Sequence, residues 1–212
     1  MSKKFAILLA IFFLHTALAN AQRELSIDIV KGAAKKINVA VSDFRLMQDS
    51  IYQAAPPLSD QLTSILLDDL TAFNIFTLVE NREFIRQNIA AEEKKETINF
   101  KEWSFLGANA LVKTGYYFDG NSLIIEGKLY DVNSAQLIIG KRYIGTHKSM
   151  RRMVHKLADE IYFRFTGQRG IAQSKIAFLG KYNGYKELFV IDFDGHDPIR
   201  LTADRSLVLS PD

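Results

Sequence analysis

Along the first part of the chain, segments with the hydrophobic pattern of a strand take turns with segments that have the pattern of a helix. The segment Ile37–Phe44 is β-branched and almost continuously apolar, which is typical of a strand covered on both faces. Between residues 62 and 73, apolar side chains recur at spacings of three and four, which predicts a helix with Ser59 as a candidate N-cap. Ile75–Val79 is the next predicted strand. This order indicates a βαβ-like unit, although the sequence alone leaves parallel pairing open.

The middle of the chain has a less regular pattern. Arg82–Ala91 is compatible with a short helix, and the charged run at residues 92–96 is interpreted as a solvated loop. Ala110–Tyr117 is a predicted strand that leads into a turn signal. Leu123–Asp131 and Gln136–Thr146 are then predicted to form an antiparallel pair.

The clearest predicted element is a helix that begins near residue 150. Apolar residues recur at helical spacing from Met150 to Phe165, so one face of this helix is expected to lie on a sheet. Beyond Gly170 the pattern changes to short strands separated by turns at residues 183–184 and 194–195. Three such strands cannot cover both faces and both edges of their own sheet. This segment is therefore expected to need neighbours that the 212 residues do not supply.

The first 21 residues have the order of a secretory signal peptide. Lys3 and Lys4 form a positive region, Phe5–Leu14 is an uncharged apolar run, and Ala19 and Ala21 frame a small-residue cleavage site. A membrane anchor is the alternative. Only 17 uncharged residues, 5–21, are available for a span that needs about 20, and the last of them are polar. We therefore expect export, cleavage after Ala21 and no membrane insertion of the mature chain.

Composition narrows the function classes once the leader is set aside. The mature chain, residues 22–212, has 191 residues, which is long enough for one substantial core. Without Lys3 and Lys4, 25 basic residues stand against 24 acidic ones, so no nucleic-acid footprint is indicated. The sequence has no cysteine, which argues against a lipid-anchored lipoprotein, a disulfide framework and a thiol nucleophile.

The sequence contains no recognisable catalytic motif. His155 lies off the apolar stripe of the long helix and is expected to face solvent, and His147 has no partner at a metal-ligand spacing. A metal site around His196 in the turn at residues 192–197 is the less favoured alternative, because Asp and Gly suit a tight turn. The carboxylate pairs at 68–69 and 92–93 are interpreted as surface groups. We expect no catalytic residue, no cofactor and no metal ligand.

Four stretches of the mature chain resemble the TolB family of the Tol-Pal envelope system. They are Glu24–Phe44, Trp103–Val112, Ala158–Gly170 and Ser174–Thr202. The last of them contains a Val-Ile-Asp-x-Asp-Gly turn and an Arg-Leu-Thr close, as in TolB/PD40 repeats, and residues 210–212 resemble the start of the next repeat. PD40 repeats also occur in other propellers, so the order of the four stretches is more specific than any single one.

The resemblance implies a domain order and a role. The expected fold is an α/β domain with a mixed sheet and packed helices at residues 22–170, after a signal peptide at residues 1–21. A fragment of the first β-propeller blade, of PD40/WD40-like type, is expected at residues 171–212. The implied role is that of a periplasmic, non-enzymatic adaptor in outer-membrane integrity, cell division and protein import.

The resemblance also implies two protein partners. In the family the N-terminal arm binds TolA, and the propeller binds the lipoprotein Pal. The candidate TolA-binding residues are Arg23, Glu24, Leu25, Ser26, Ile27, Asp28, Ile29, Val30 and Lys31. An alternating arm can add a strand to a partner's sheet, and an ordinary edge strand of its own domain is the equally weighted alternative. A chain with one partial blade is not expected to bind Pal in the family's manner.

Two other readings stay open at this point. One is the N-terminal part of an exported, propeller-bearing peptidase, which would need a hydrolase domain after residue 212. The other is a stand-alone ligand-binding domain.

Overall fold

A computed structural model describes residues 36–47, 58–95 and 97–203, all within one compact unit. In chain order the elements are β1 (Ile37–Val41), β2 (Arg45–Leu46), α1 (Ser59–Ala72), β3 (Phe76–Leu78), α2 (Arg82–Lys95), α3 (Phe100–Phe105), β4 (Ala110–Asp119), β5 (Ser122–Asp131), β6 (Gln136–Gly145), a 3-10 turn (His147–Ser149), α4 (Met150–Thr166), β7 (Lys175–Tyr182), β8 (Tyr185–Asp192) and β9 (Ile199–Arg200). None of the described helices has the length and hydropathy needed to cross a bilayer.

The first six strands form one mixed sheet. Its order is β3-β1-β4-β5-β6, and β2 pairs with β4 beyond the end of β1. Strands β1, β3 and β4 run parallel, and β2 is also parallel to β4, whereas β4, β5 and β6 are antiparallel neighbours. The continuous apolar character of β1 is explained by this position, because β1 is central and helices cover both of its faces. The predicted mixed sheet with packed helices is confirmed.

Side-chain alternation divides the core into two layers. Val39 and Val41 point to one face of the sheet, where they join the buried side chains of α1 and α4. Ala40 points to the other face, where Ile85 of α2 and Trp103 of α3 are fully buried. The sheet is therefore sandwiched between a helix pair on each side.

The last three strands form a separate antiparallel sheet of order β7-β8-β9. Asn183 and Gly184 both have positive φ in the two-residue loop that joins β7 to β8, which is the conformation that an Asn-Gly hairpin favours. The connection from α4 begins at Gly167, whose φ of 69° gives a left-handed helix C-cap. The predicted helix at residue 150 and the strand–turn pattern after Gly170 are both confirmed.

Two local predictions are wrong, and one helix has no predicted counterpart. Ser59 is the first residue of α1, and Leu58 occupies the N-cap without a side-chain cap. The charged run after Ala91 continues helix α2 to Lys95 rather than forming a loop. The reason is that the buried face of α2 consists of Ile85, Asn88 and Glu92, at helical spacings of three and four, so two of its three positions are polar. Helix α3, residues 100–105, had no counterpart among the predicted elements.

Candidate functional site

The residues predicted to bind TolA and to frame the cleavage site lie outside the described part of the chain. Arg23–Lys31, Ala19 and Ala21 all precede residue 36, where the description begins. Their predicted roles remain predictions.

A buried cluster of charged side chains lies where α1, α4 and the β8–β9 turn meet. Asp69 of α1 places Oδ2 2.7 Å from Nδ1 of His155 on α4. On the other side of the imidazole, Nε2 lies 3.1 Å from Oδ2 of Asp194 in the turn. The same carboxylate oxygen of Asp194 accepts from the Arg151 guanidinium, one helical turn before His155. His155 therefore stands between two carboxylates that come from different parts of the chain.

Burial of this cluster contradicts two predictions. His155 was expected in solvent and is 3% exposed, and Asp69, interpreted as a surface acid, is 1% exposed. The apolar stripe of α4 packs on the large sheet, and the flank that carries His155 is covered by α1 and the β8–β9 turn. The stripe of α1 contained a signal for Asp69, which falls in register with Leu62, Ile65 and Leu66. No local pattern distinguished His155.

Burial and charge pairing shift the pKa values of these groups in opposite directions. Burial raises the pKa of Asp69, and its bond to His155 only partly offsets that effect. Burial alone would lower the pKa of His155, but the hydrogen bond and charge of Asp69 together with Asp194 outweigh it and hold the pKa above the ordinary value. For Asp194, burial is outweighed by Arg151 and by the His196 backbone N–H, so its pKa is lowered. Each cation of the cluster thus lies beside a carboxylate, with His155 against Asp69 and Asp194 and Arg151 against Asp194.

The polar side chains of the β8–β9 turn contact neighbouring side chains of the protein. Among the described residues, no group of three or more His, Asp, Glu or Cys side chains is placed to hold a metal ion. The Asp194 carboxylate is occupied by Arg151 and His155, and the exposed ring of His196 lies 3.0 Å from Arg151 Nη2 through Nδ1. His147 is exposed in the 3-10 turn.

A second buried carboxylate was also interpreted as a surface group. Glu92 of α2 is 4% exposed and accepts from Trp103 Nε1 at 2.6 Å and from the Asn99 backbone N–H at 3.0 Å through Oε1. Its other oxygen, Oε2, lies 2.9 Å from Lys113 Nζ. Glu92 thus joins α2, α3 and β4, and the expectation of a solvated Glu92 is wrong.

An open cleft of about 450 Å³ lies beside Glu92, between α2 and the β4–β5 part of the sheet. Its carboxylates are already paired within the protein, as with Glu92 and Lys113 or Glu126 and Arg142. Paired charges of both signs favour no single class of ligand. The cleft is bordered by Met47, after which the description is interrupted until residue 58.

The three-stranded sheet has partly exposed apolar side chains on both faces. One face carries the stacked rings of Phe178 and Phe189, with centroids 5.5 Å apart, and the Tyr182 ring under the Arg200 guanidinium. Ile199, on the opposite face, is 52% exposed. The exposed large apolar side chains of this sheet are Ile176, Phe178, Tyr182, Tyr185, Ile199 and the flanking Leu201. Such a surface marks a contact site.

Comparison with known proteins identifies a family for this arrangement. Residues 25–138 match the model of the TolB amino-terminal domain. The chain is 31% identical over 212 residues to the Tol-Pal system protein TolB of Syntrophotalea carbinolica, an alignment that covers 100% of this chain and 48% of that protein. It is 40% identical over 110 residues to the Tol-Pal system protein TolB of Geobacter sulfurreducens, covering 52% of this chain and 26% of that protein. The chain therefore spans about half the length of the first of these curated relatives.

The fold has a solved counterpart. The crystal structure of TolB from Acinetobacter baumannii superposes with a TM-score of 0.65 at 19% identity, and covers 83% of this chain and 41% of that one. At this identity the likeness establishes the fold alone.

Proposed function

The chain belongs to the TolB family, through its amino-terminal domain, and we propose that it acts as a non-enzymatic protein–protein adaptor of the Tol-Pal system. The observation that carries this proposal is the family match over residues 25–138, extended by relatives that align with the whole chain. Those relatives are named Tol-Pal system proteins and are about twice as long as this chain. The adaptor connects partners that support envelope integrity, cell division and protein import.

Each segment of the chain has its own role in this proposal. Residues 1–21 are the export signal, residues 22–170 are the α/β domain and residues 171–212 are the first part of a propeller blade. The antiparallel meander of β7–β9, with apolar side chains exposed on both faces, is consistent with a blade that packs between neighbours. Export places the mature chain in the periplasm.

TolA binding is assigned to the arm Arg23–Lys31. Leu25, Ile27 and Ile29 alternate with polar Ser26 and Asp28, so the arm can add a strand to a partner's sheet and bury one apolar row. Pal binding is assigned to the propeller, which begins at residue 171. We expect these 212 residues to bind TolA through the arm.

The test is a titration of the processed protein with the soluble part of TolA, by calorimetry. Deletion of residues 23–31 should abolish the binding heat. Ile27→Ser combined with Ile29→Ser should weaken binding by about a hundredfold or more, because two buried apolar side chains are lost at roughly 1.5 kcal/mol or more each. Ser26→Ala combined with Asp28→Asn, on the opposite face of the arm, serves as the matched control and should bind like the parent.

The outcomes separate the parts of the proposal. Unchanged affinity after the deletion would reject the arm as the contact segment while leaving the adaptor role in place. Absence of any TolA binding by the undeleted protein would reject the adaptor role itself. N-terminal sequencing of the exported protein tests the leader, with Gln22 as the expected first residue.

A further inference from the structure

The β8–β9 turn is held to the helix pair by a small set of polar contacts. In the described part of the chain, the polar side-chain contacts between this turn and α4 involve Asp194 and His196 on the turn and Arg151 and His155 on the helix. Asp69 of α1 is hydrogen-bonded to the other ring nitrogen of His155, Nδ1, and so orients the imidazole. Asp194 forms the ion pairs of this attachment, whereas a second attachment of the small sheet to α4, from Ala172 and Gln173 to Asp159, lies before β7.

The protonation state of His155 decides whether both carboxylates are satisfied. A neutral imidazole has one N–H donor and one lone pair, whereas the imidazolium has two donors. Asp69 lies at Nδ1 and Asp194 at Nε2, at 2.7 and 3.1 Å. Nδ1 is hydrogen-bonded to Asp69, whereas Nε2 meets Asp194 as a close charge contact without hydrogen-bond alignment. A neutral imidazole can donate to Asp69 but presents no positive charge to Asp194, so only protonated His155 favours both contacts.

The charge count leads to the same conclusion. With His155 protonated, two cations (Arg151 and His155) balance two carboxylates (Asp69 and Asp194). Loss of the proton leaves a net negative charge in a cluster where His155 and Asp69 are almost fully buried, and an unbalanced buried charge is strongly destabilising.

Other charged groups surround His155, and one of them, Arg151, opposes its protonation. The remaining charged or titratable groups near the cluster are Asp159 on α4, Asp68 on α1 and His196 on the turn. A cleft of about 310 Å³, lined by residues that include Asp69, Arg151 and Asp194, reaches this point and offers a route for proton exchange.

We propose that Asp69, His155, Asp194 and Arg151 form a pH-sensitive latch, which holds the β7–β9 sheet against α1 and α4 while His155 is protonated and loosens when His155 loses its proton. This inference rests on the geometry of the cluster and is independent of the Tol-Pal assignment.

The direction of the pH effect follows from the pKa shifts. The pKa of His155 is raised, so its contribution is complete below about pH 6.5 and is lost as the pH rises through the raised pKa. The pKa of Asp194 is lowered, so its contribution is present above about pH 3.8 and is lost as the pH falls through the lowered pKa. The raised pKa of Asp69 makes this buried acid favour its protonated form, so its ionisation opposes stability as the pH rises. The latch is tightest between the pKa values of Asp194 and His155.

The test combines two measurements on the purified protein between about pH 5.5 and about pH 8.5, a range that brackets the ordinary histidine pKa. Nitrogen-15 NMR of the imidazole rings should show His155 with both nitrogens protonated at the low end and a pKa above the ordinary histidine value. Hydrogen exchange, corrected for the intrinsic pH dependence, should show amide protection in β8 and β9 falling about tenfold, or ~1.4 kcal/mol, as His155 titrates, with β4 and β5 unchanged.

Matched variants isolate the carboxylate that carries the latch. Asp194→Asn should lower protection in β8 and β9 at the low end of the range and remove its dependence on pH. Asp197→Asn makes the same chemical change three residues later, at an exposed position, and should leave the profile of the parent.

Three results would overturn the proposal. They are a His155 that is neutral at about pH 5.5, well below its ordinary pKa, a protection ratio between the two sheets that does not change with pH, or equal profiles for Asp194→Asn and Asp197→Asn. The ring titration needs no substitution, so it decides the first point even where Asp194→Asn fails to fold.

Discussion

Replacement of Glu92 by alanine should be among the most destabilising single changes in the α/β domain. Its carboxylate accepts from Trp103 Nε1 at 2.6 Å, from the Asn99 backbone N–H at 3.0 Å and from Lys113 Nζ at 2.9 Å. The Trp103 ring is fully buried, and Glu92 is the acceptor for its indole N–H. The change therefore leaves a buried donor unsatisfied and a lysine without its counter-ion.

The expected magnitude follows from these contacts. An unsatisfied buried donor costs about 1–3 kcal/mol, and the loss of a charge-assisted bond adds roughly 1 kcal/mol after a discount for the partial exposure of Lys113. We expect Glu92→Ala to lower the free energy of unfolding by about 2–4 kcal/mol. Glu92→Gln should cost about 1–2 kcal/mol, because it retains an oxygen for Trp103 and Asn99 and loses only the charge that faces Lys113.

The assay is urea unfolding followed by fluorescence. Trp103 is the only tryptophan in the chain and belongs to the network, so its emission reports unfolding of this part of the protein directly. The neighbouring Glu93 provides the control, because its only described ion pair, with Arg45, lies at the surface. Glu93→Ala should change stability by no more than about 0.5 kcal/mol. If Glu92→Ala falls within about 1 kcal/mol of Glu93→Ala, the reasoning about the buried network is refuted.

Three further predictions concern packing, helix termination and acid stability. Gly127→Ala should lower the free energy of unfolding, measured in urea, by about 1–3 kcal/mol, because the new Cβ would lie 2.6 Å from two methyl carbons of buried Leu157. Gly140→Ala is the control and should be almost neutral, because its nearest contact would lie at 3.8 Å. Gly167→Ala should lower the free energy of unfolding by about 1 kcal/mol, because φ is 69° at this C-cap. Gly167→Asn should cost less, and an equal cost for both variants would contradict the explanation. The pKa of Asp43 is lowered because its two arginine partners outweigh burial, so the stabilisation from Asp43 is present above about pH 3.8 and is lost below it. Asp43→Asn should therefore flatten that part of the acid-unfolding curve. An unchanged curve would exclude this contribution.

The backbone plan of the chain could be predicted where a long periodic pattern or a turn dipeptide was present. Helix α4 was visible from the spacing between Met150 and Phe165, and the Asn183-Gly184 hairpin from its two residues. The apolar run of β1 indicated a strand covered on both faces, and its parallel neighbours supplied the reason. These features depend on interactions between residues close together in the chain, so the sequence contains them locally.

The polar sites could not be found in this way. Glutamate at a helix position usually faces solvent. Glu92 is buried because α3 and β4 pack against this side of α2 and supply donors to its carboxylate. Hydrophobic patterning cannot identify a buried carboxylate, because a buried and a solvated glutamate have the same residue type and the same neighbours in sequence. The difference lies in which donors the tertiary structure brings to them.

What the sequence by itself determined is a cysteine-free α/β chain, the change to a strand-and-turn pattern after Gly170 and a resemblance that the family match then supported. What only the tertiary structure decided is the state of its charges. Asp69 and His155 are 86 residues apart in the chain and 2.7 Å apart in space, and Asp194 reaches the same imidazole from a third segment. The free energy of such groups depends on distance, burial and the number of available donors. Folding sets these quantities, and no local spacing of residues contains them.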